Sequence, residues 1–360
     1  MGRKHEKLLH KAWKWLEEDF GLIVAGNIDL ECDKIILKEG LKFEEGEVKE
    51  IEKEKNEIKG NIDLVAFDKK KDKYYGVEVK PSEDIISGNS QIDRQLIKYA
   101  CAGAGSIDYL YIATDSNEVA QRAKGYYNFT KEHLRELQQP IWNNYVRKTY
   151  DFSNIQPFRC GIICLNENPF FHSRADRIRR AKAPKLDFDN ESWVKHRIFM
   201  HFNNDKQEIE PEAEIPPPTK SGHPRKIDFG ILPVGRNSTD IIKNQETLRI
   251  IGIEVKNKFD GGVIKKLQDY IKSEALTEVY LAIPNRLTEK ALPKLRETDI
   301  GLIAVDRNHV KTIKTANRKN ILYDAMELSR YGNGVRSKKV KRTITGEKIE
   351  SNKAQNICSL

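Results

Sequence analysis

Asp63 heads an apolar run, Gly-Asn-Ile-Asp-Leu-Val-Ala-Phe, and Glu78 and Lys80 alternate with valines in Tyr-Gly-Val-Glu-Val-Lys. Two carboxylates brought together on adjacent strands can share one divalent, oxygen-seeking cation, and Mg²⁺ is the ion that suits such a pair best. A lysine two residues past the second carboxylate points the same way along an extended chain, because strand side chains alternate with period two. Its ammonium can offset charge developing on a phosphoryl group, or help orient and deprotonate a water. The set suits hydrolysis of phosphodiesters.

The surrounding sequence predicts the elements that would hold these residues. Ile62 to Phe67 and Tyr74 to Lys80 read as two strands joined by a polar turn over Lys69 to Lys73, with Pro81 ending the second. The segment 90–101 reads as a helix with Ile92, Gln95, Leu96 and Tyr99 along one side. Asp108 to Ala113 reads as a strand, about 117–148 as a helical region, and Cys160 to Leu165 as a closing strand. Ahead of them, Leu8, Leu9, Ala12, Trp13 and Leu16 have helical spacing over 5–19, with Glu6 near the start and Gly21 as the stop. Ile23 to Ile28 resembles a short strand, and the Glu- and Lys-rich segment 29–59 fits strands or a loop equally.

The same landmarks recur in the same order later in the chain. Glu191 opens a second helix and is matched to Glu6. Arg225-Lys-Ile-Asp-Phe-Gly-Ile-Leu matches the Asp63 strand, and Ile250-Ile-Gly-Ile-Glu-Val-Lys matches the Glu78 strand. Lys265-Lys-Leu-Gln-Asp-Tyr matches the helix ending at Tyr99, with Lys266 in the place of Gln95 and Gln268 the nearest glutamine. Glu278-Val-Tyr-Leu-Ala and Ile300-Gly-Leu-Ile-Ala-Val match the strands after it. A series of this length implies duplication of a domain of roughly 150 residues. The interval from Asp228 to Glu254 exceeds that from Asp63 to Glu78, and the extra length is assigned to a loop, Gly235 to Glu246. The domains expected are 1–169 and 191–310. Between them lies a linker, 170–190, and after them a basic tail, 311–360, with a possible short helix over Asn320 to Arg330 and a mobile stretch from Gly332. A polar, proline-rich stretch is expected over Glu210 to Pro224.

Composition narrows the classes. The 360-residue chain is 32% charged and 38% hydrophobic, with a formal net charge of +9, which favours a polyanionic partner. A Lys- and Glu-rich proteome would give the same bias without any such partner. Five cysteines with no CxxC pair suggest neither a disulfide framework nor a zinc site, and Cys160 and Cys164 read as buried thiols. The eight histidines show no HxH or HExxH spacing, and no GxxxxGK[ST] occurs, so a histidine metal site and ATP hydrolysis are not expected. No run is long and apolar enough to span a membrane, and the first residues lack a signal-peptide core, so the expected location is cytoplasmic. Trp13, Trp15 and Trp193, on the first helices, read as core or half-buried residues rather than base-stacking ones. Glu47-Val-Lys49 and Glu57-Ile-Lys59 read as solvated charge. Arg174, Arg177, Arg179, Arg180 and Lys182 fit a solvated linker or a track for a phosphate backbone equally well.

Asp63 with Glu78-Val79-Lys80, and Asp228 with Glu254-Val255-Lys256, resemble the PD-(D/E)xK nuclease superfamily, whose fold many restriction endonucleases and repair nucleases share. Neither copy has the proline that names the motif. The resemblance implies an α/β fold of two tandem restriction-endonuclease-like domains, each a mixed central β-sheet flanked by helices. It implies Mg²⁺, with Mn²⁺ as a substitute, held by Asp63 and Glu78 with the Val79 carbonyl, and by Asp228 and Glu254 in the second copy. Lys80 and Lys256 would assist the attacking water, and Gln95 would steady Lys80 or the scissile phosphate. Glu6, Glu191, Tyr99 and Gln268 would be accessory. The expectation is a metal-dependent endonuclease acting on nucleic acid, DNA in the first place, with two sites in one chain imitating a nuclease dimer. The alternative is a non-catalytic nucleic-acid-binding protein on the same scaffold.

Overall fold

The computed structural model describes residues 3–32, 36–42, 48–49, 58–86, 90–138, 141–143, 146–151, 155–178, 183–203, 207–215, 225–233, 250–272, 276–307 and 309–319. The expected loop Gly235 to Glu246, the helix Asn320 to Arg330, the tail from Gly332, and Arg179, Arg180 and Lys182 lie outside these residues. The chain divides into an N-terminal unit, Lys7–Asp187, and a C-terminal unit, Met1–Glu6 with Phe188–Leu360. The division falls inside the first helix.

That helix, α1 (Arg3–Glu18), forms where the apolar residues recur at helical spacing, and Leu8, Leu9, Ala12, Trp13 and Leu16 are all buried. The strands that follow are β1 (Ile23–Cys32), β2 (Ile36–Lys42), β3 (Val48–Lys49), β4 (Ile58–Asp68) and β5 (Lys73–Val79). Next come α2 (Ser82–Ile86), α3 (Ser90–Ser106), β6 (Tyr109–Thr114), α4 (Asn117–Tyr126), β7 (Asn128–Phe129) and α5 (Lys131–Leu137). The N-terminal unit is completed by β8 (Ile141–Asn143), β9 (Val146–Asp151), β10 (Phe158–Arg159), β11 (Gly161–Cys164) and β12 (Phe170–Ser173). Its main sheet has the order β1-β4-β5-β6-β11-β12. The ring of Trp13 packs so closely on β1 that a Cβ on Gly26 would stand 2.3 Å from it, so only glycine fits there.

The C-terminal unit contains α6 (Glu191–Phe202), β13 (Gln207–Ile215), β14 (Arg225–Pro233), β15 (Ile251–Val255), α7 (Gly261–Lys272), β16 (Glu278–Pro284), α8 (Thr288–Leu295), β17 (Gly301–Val305) and β18 (Val310–Lys314). Asn190 caps α6, its side chain accepting from the Trp193 amide at 2.8 Å. The sheet order is β13-β14-β15-β16-β17-β18. Ile227, Leu267, Tyr270, Leu276, Leu281, Ile283 and Leu302 form its core with no exposed surface or almost none. Burying each aliphatic side chain of this kind stabilises a fold by about 1.5–3 kcal/mol.

Both units are therefore mixed α/β structures built on a six-stranded sheet, and the two sheets share one plan. Reading across either sheet, the pairings run antiparallel, antiparallel, parallel, parallel, antiparallel. Details repeat at the positions matched by sequence. The amide of Lys80 donates to the Ala113 carbonyl at 2.9 Å, and that of Lys256 to Ala282 at 3.0 Å. A Cβ on Gly161 would stand 2.2 Å from the Tyr111 ring and 2.7 Å from the Ala175 amide. On Gly301 it would stand 2.4 Å from Tyr280 and 2.8 Å from the Ala316 amide.

Several expected boundaries move. The stretch 170–190, read as a linker, begins with the edge strand β12, and the Ile178 amide donates to the Asp108 carbonyl at 2.7 Å, so this part closes the first sheet. The counterpart in the C-terminal unit is β18, with the Lys319 amide donating to Thr277 at 2.9 Å, so the second domain runs beyond 310. Residues 141–143 and 146–148, read as helical, lie in β8 and β9, which join β2 and β3 in a separate four-stranded sheet. This also resolves part of the ambiguous segment 29–59 as strand. Most of Glu210 to Ile215, read as irregular, is paired in β13.

Candidate active site

In the N-terminal unit, β4 and β5 run antiparallel and carry Asp63 and Glu78 side by side. Asp63 Oδ2 accepts the Val79 amide at 2.8 Å, and Glu78 Oε2 faces the Asp63 amide at 3.4 Å. Each carboxylate is thereby fixed by the backbone of the other's strand. Lys80 Nζ stands 2.8 Å from Glu78 Oε1. Glu78 is 1% exposed and Asp63 5%, so both charges are taken out of water, which is costly without a compensating partner. Burial, with the Asp63 carboxylate adding to it, pushes the Glu78 carboxyl up to about 8. Burial pushes the Lys80 ammonium down, but Glu78 and Asp63 together outweigh that and hold it above its ordinary value. Lys80 is therefore a cation at neutral pH.

The helix expected to supply Gln95 does so, but not to Lys80. The Gln95 amide donates to the Tyr99 hydroxyl, which donates to the Asn61 carbonyl two residues before Asp63. Gln95 and Tyr99 thus brace the strand that carries Asp63. Burial, and the carboxylate of Glu78 next to it, raise the Tyr99 phenol, so it stays protonated and keeps donating.

The C-terminal unit repeats the frame with other charges. The Val255 amide donates to Asp228 Oδ2 at 2.7 Å, and the Tyr270 hydroxyl to the Lys226 carbonyl at 2.7 Å. Lys256 Nζ lies 3.0 Å from Glu254 Oε1, 3.4 Å from Glu191 Oε1 and 4.0 Å from Asp228 Oδ2. Two further lysines enter. Lys195, one turn after Glu191 on α6, stands 2.7 Å from Asp228 Oδ1, and Lys266 stands 2.6 Å from Glu254 Oε1. Burial lowers the Lys195 ammonium, but Asp228, Glu6 and Glu191 outweigh it and hold it well above its ordinary value.

Of the accessory residues, Glu191 joins its site. Glu6 belongs to the C-terminal unit. Burial raises its carboxyl, with the charge of Lys195 the largest influence opposing that shift. Gln268 is exposed on α7, two residues and so about half a turn from both Lys266 and Tyr270, on the opposite face. Arg174 and Arg177 are exposed after β12.

Sequence reasoning missed Lys195 and Lys266 as site residues, and also a backbone feature common to both units. Asn27 on β1 and Glu212 on β13 have φ of 56° and 53°. The paired positions skip from Gly26↔Leu64 to Ile28↔Ile62, and from Pro211↔Phe229 to Ala213↔Ile227. In each sheet a left-handed, non-glycine residue therefore lies opposite the strand aspartate. Such conformations cost about 1–3 kcal/mol and concentrate at functional sites.

The donors fit a hard cation at Asp63 and Glu78: oxygen ligands, buried, with like charges that a cation would relieve. Among the described residues no group of three or more His, Cys, Asp or Glu forms a ready metal cage. An ion here would thus rest on two carboxylates with solvent or substrate oxygens completing its shell, which is the habit of Mg²⁺. No helix among the described residues is long and apolar enough to cross a membrane.

No protein-family model matches the sequence, and no curated protein does. Among solved structures, the chain is similar to the SPO1766 protein of unknown function from Silicibacter pomeroyi, at 17% identity and a TM-score of 0.29, over 46% of this chain and 99% of that one.

Proposed function

We propose that this chain is a Mg²⁺-dependent endonuclease that hydrolyses DNA phosphodiesters at the N-terminal site. The observation that carries the reading is the convergence of Asp63, Glu78 and Lys80 in a buried strand pair, with an ammonium 2.8 Å from a carboxylate that burial makes costly to ionise. The likeness of Asp63 and Glu78-Val79-Lys80 to the PD-(D/E)xK pattern supports it, as does the net charge of +9, which suits a polyanion.

Asp63 and Glu78 would hold Mg²⁺, or Mn²⁺ in its place, and the ion would supply Lewis-acid polarisation of the phosphate. Lys80, a cation held by Glu78, places positive charge where negative charge grows on the phosphoryl oxygens. It also donates to the incoming water and orients it, and because it is protonated it is not itself the base. Gln95 and Tyr99 hold the Asp63 strand in register. Basic residues away from the site contribute sequence-independent affinity that weakens with salt. We place the protein in the cytoplasm, where its free, buried Cys160 and Cys164 suit a reducing compartment.

The test is supercoiled plasmid incubated with the full chain and Mg²⁺. Cleavage that EDTA stops and Asp63→Asn abolishes supports the proposal. Salt-sensitive DNA binding with no cleavage under any divalent ion would favour the non-catalytic binding protein instead.

A further inference from the structure

The carboxylate pair of the C-terminal unit is crowded by lysines. Both oxygens of Asp228 are engaged, Oδ1 by Lys195 at 2.7 Å and Oδ2 by the Val255 amide at 2.7 Å. Glu254 Oε1 meets two ammonium groups, Lys266 at 2.6 Å and Lys256 at 3.0 Å. Even the Val255 carbonyl, counterpart of a backbone oxygen expected to help bind an ion, accepts from Lys256 at 2.7 Å. Glu191, Asp228 and Glu254 are balanced by Lys195, Lys256 and Lys266, charge for charge.

The difference between the units lies in residue type at a matched position. Lys266 precedes Tyr270 by one helical turn, as Gln95 precedes Tyr99, and each tyrosine reaches the same strand carbonyl. A neutral amide in one unit is an ammonium in the other. A divalent ion bridging Asp228 and Glu254 could reach Glu254 Oε2, which is buried without a hydrogen-bond partner, but it would face three positive charges in a poorly solvated place.

We infer that Lys195 and Lys266 serve as built-in cations in place of a metal, so that each chain carries one divalent-ion centre and one cutting centre. This rests on the reading of the N-terminal site given above. A chain with one cutting centre nicks one strand per encounter, and does not sever both as two sites in one polypeptide would.

The test counts Mn²⁺ bound per full-length chain by isothermal titration and electron paramagnetic resonance. One equivalent is expected, lost in Asp63→Asn and retained in Asp228→Asn. The double variant Lys195→Met/Lys266→Gln should bind one equivalent more than its parent. Two equivalents in the parent chain, or loss on Asp228→Asn, would overturn the inference even if the double variant fails to fold. No binding by the parent chain would refute the N-terminal metal reading alone. In that case a gain of one equivalent in the double variant still upholds the lysine assignment, and no gain overturns it.

Discussion

The Tyr99 hydroxyl donates to the carbonyl of Asn61, two residues before Asp63, and Tyr270 repeats the bond to Lys226, two residues before Asp228. In both units a buried phenol on a helix ties down the strand that carries the aspartate. The bond is common to a site with one paired lysine at Glu78 and a site with three lysines among its acids. It therefore belongs to the frame of the fold, and the charges are what differ.

Tyr99→Phe keeps the ring but leaves the Asn61 carbonyl and the Gln95 amide without that hydroxyl. Asn61 is exposed and Gln95 half-buried, so both can turn to water and the cost is that of an ordinary hydrogen bond, about 0.5–1.5 kcal/mol. Urea denaturation should show a loss of this size. A change below about 0.5 kcal/mol would mean that the bond does not anchor the strand.

Asn27 is exposed and sits in a strand, so β-propensity alone would favour a β-branched residue there. Its φ of 56° reverses the expectation. A left-handed backbone costs an ordinary residue about 1–2 kcal/mol, and a β-branched one at least as much. Asn27→Val should lower the unfolding free energy by that amount, and Asn27→Gly should not. A stabilising Asn27→Val would remove the case for a built-in distortion opposite Asp63.

The carboxyl of Glu78 sets a pH dependence. In the folded chain it holds its proton to about 8, against an ordinary value of 4.5. Between these values the folded state binds more protons than the unfolded state, so stability is highest below the window and falls as pH rises through it. Metal-free urea midpoints should decline from about pH 5 to about pH 8, more steeply than in Glu78→Gln. Equal slopes in the two proteins would show that Glu78 is not the group responsible.

What the sequence made legible follows from pattern. A glutamate and a lysine spaced two apart in an apolar strand stand out, because charge there is costly, and the Asp63 and Asp228 strands were found by the same contrast. Lys195 and Lys266 carry no such contrast: in a chain with 63 Lys and Arg, Lys195 is one lysine among many on a helix face, and Lys266 registers only as the residue in the place of Gln95, until the fold brings each to a carboxylate. Edge strands such as β12 and β13 lack a continuous apolar run, since only one side need be covered. The strands β8 and β9 belong to a sheet whose partner β2 lies far back in the chain, a pairing that local periodicity does not encode. The left-handed turns at Asn27 and Glu212 were invisible because neither residue is glycine.

The central claim is that catalysis resides at Asp63, Glu78 and Lys80. Its most direct test is the single-turnover cleavage of end-labelled duplex DNA in Mg²⁺ by the parent chain and by Lys80→Met, both checked for fold by circular dichroism. Removing a charge that stabilises the transition state should slow cleavage by about 100–1000-fold. Cleavage by Lys80→Met at a rate within a few-fold of the parent chain, or no cleavage by the parent chain at all, would contradict the claim.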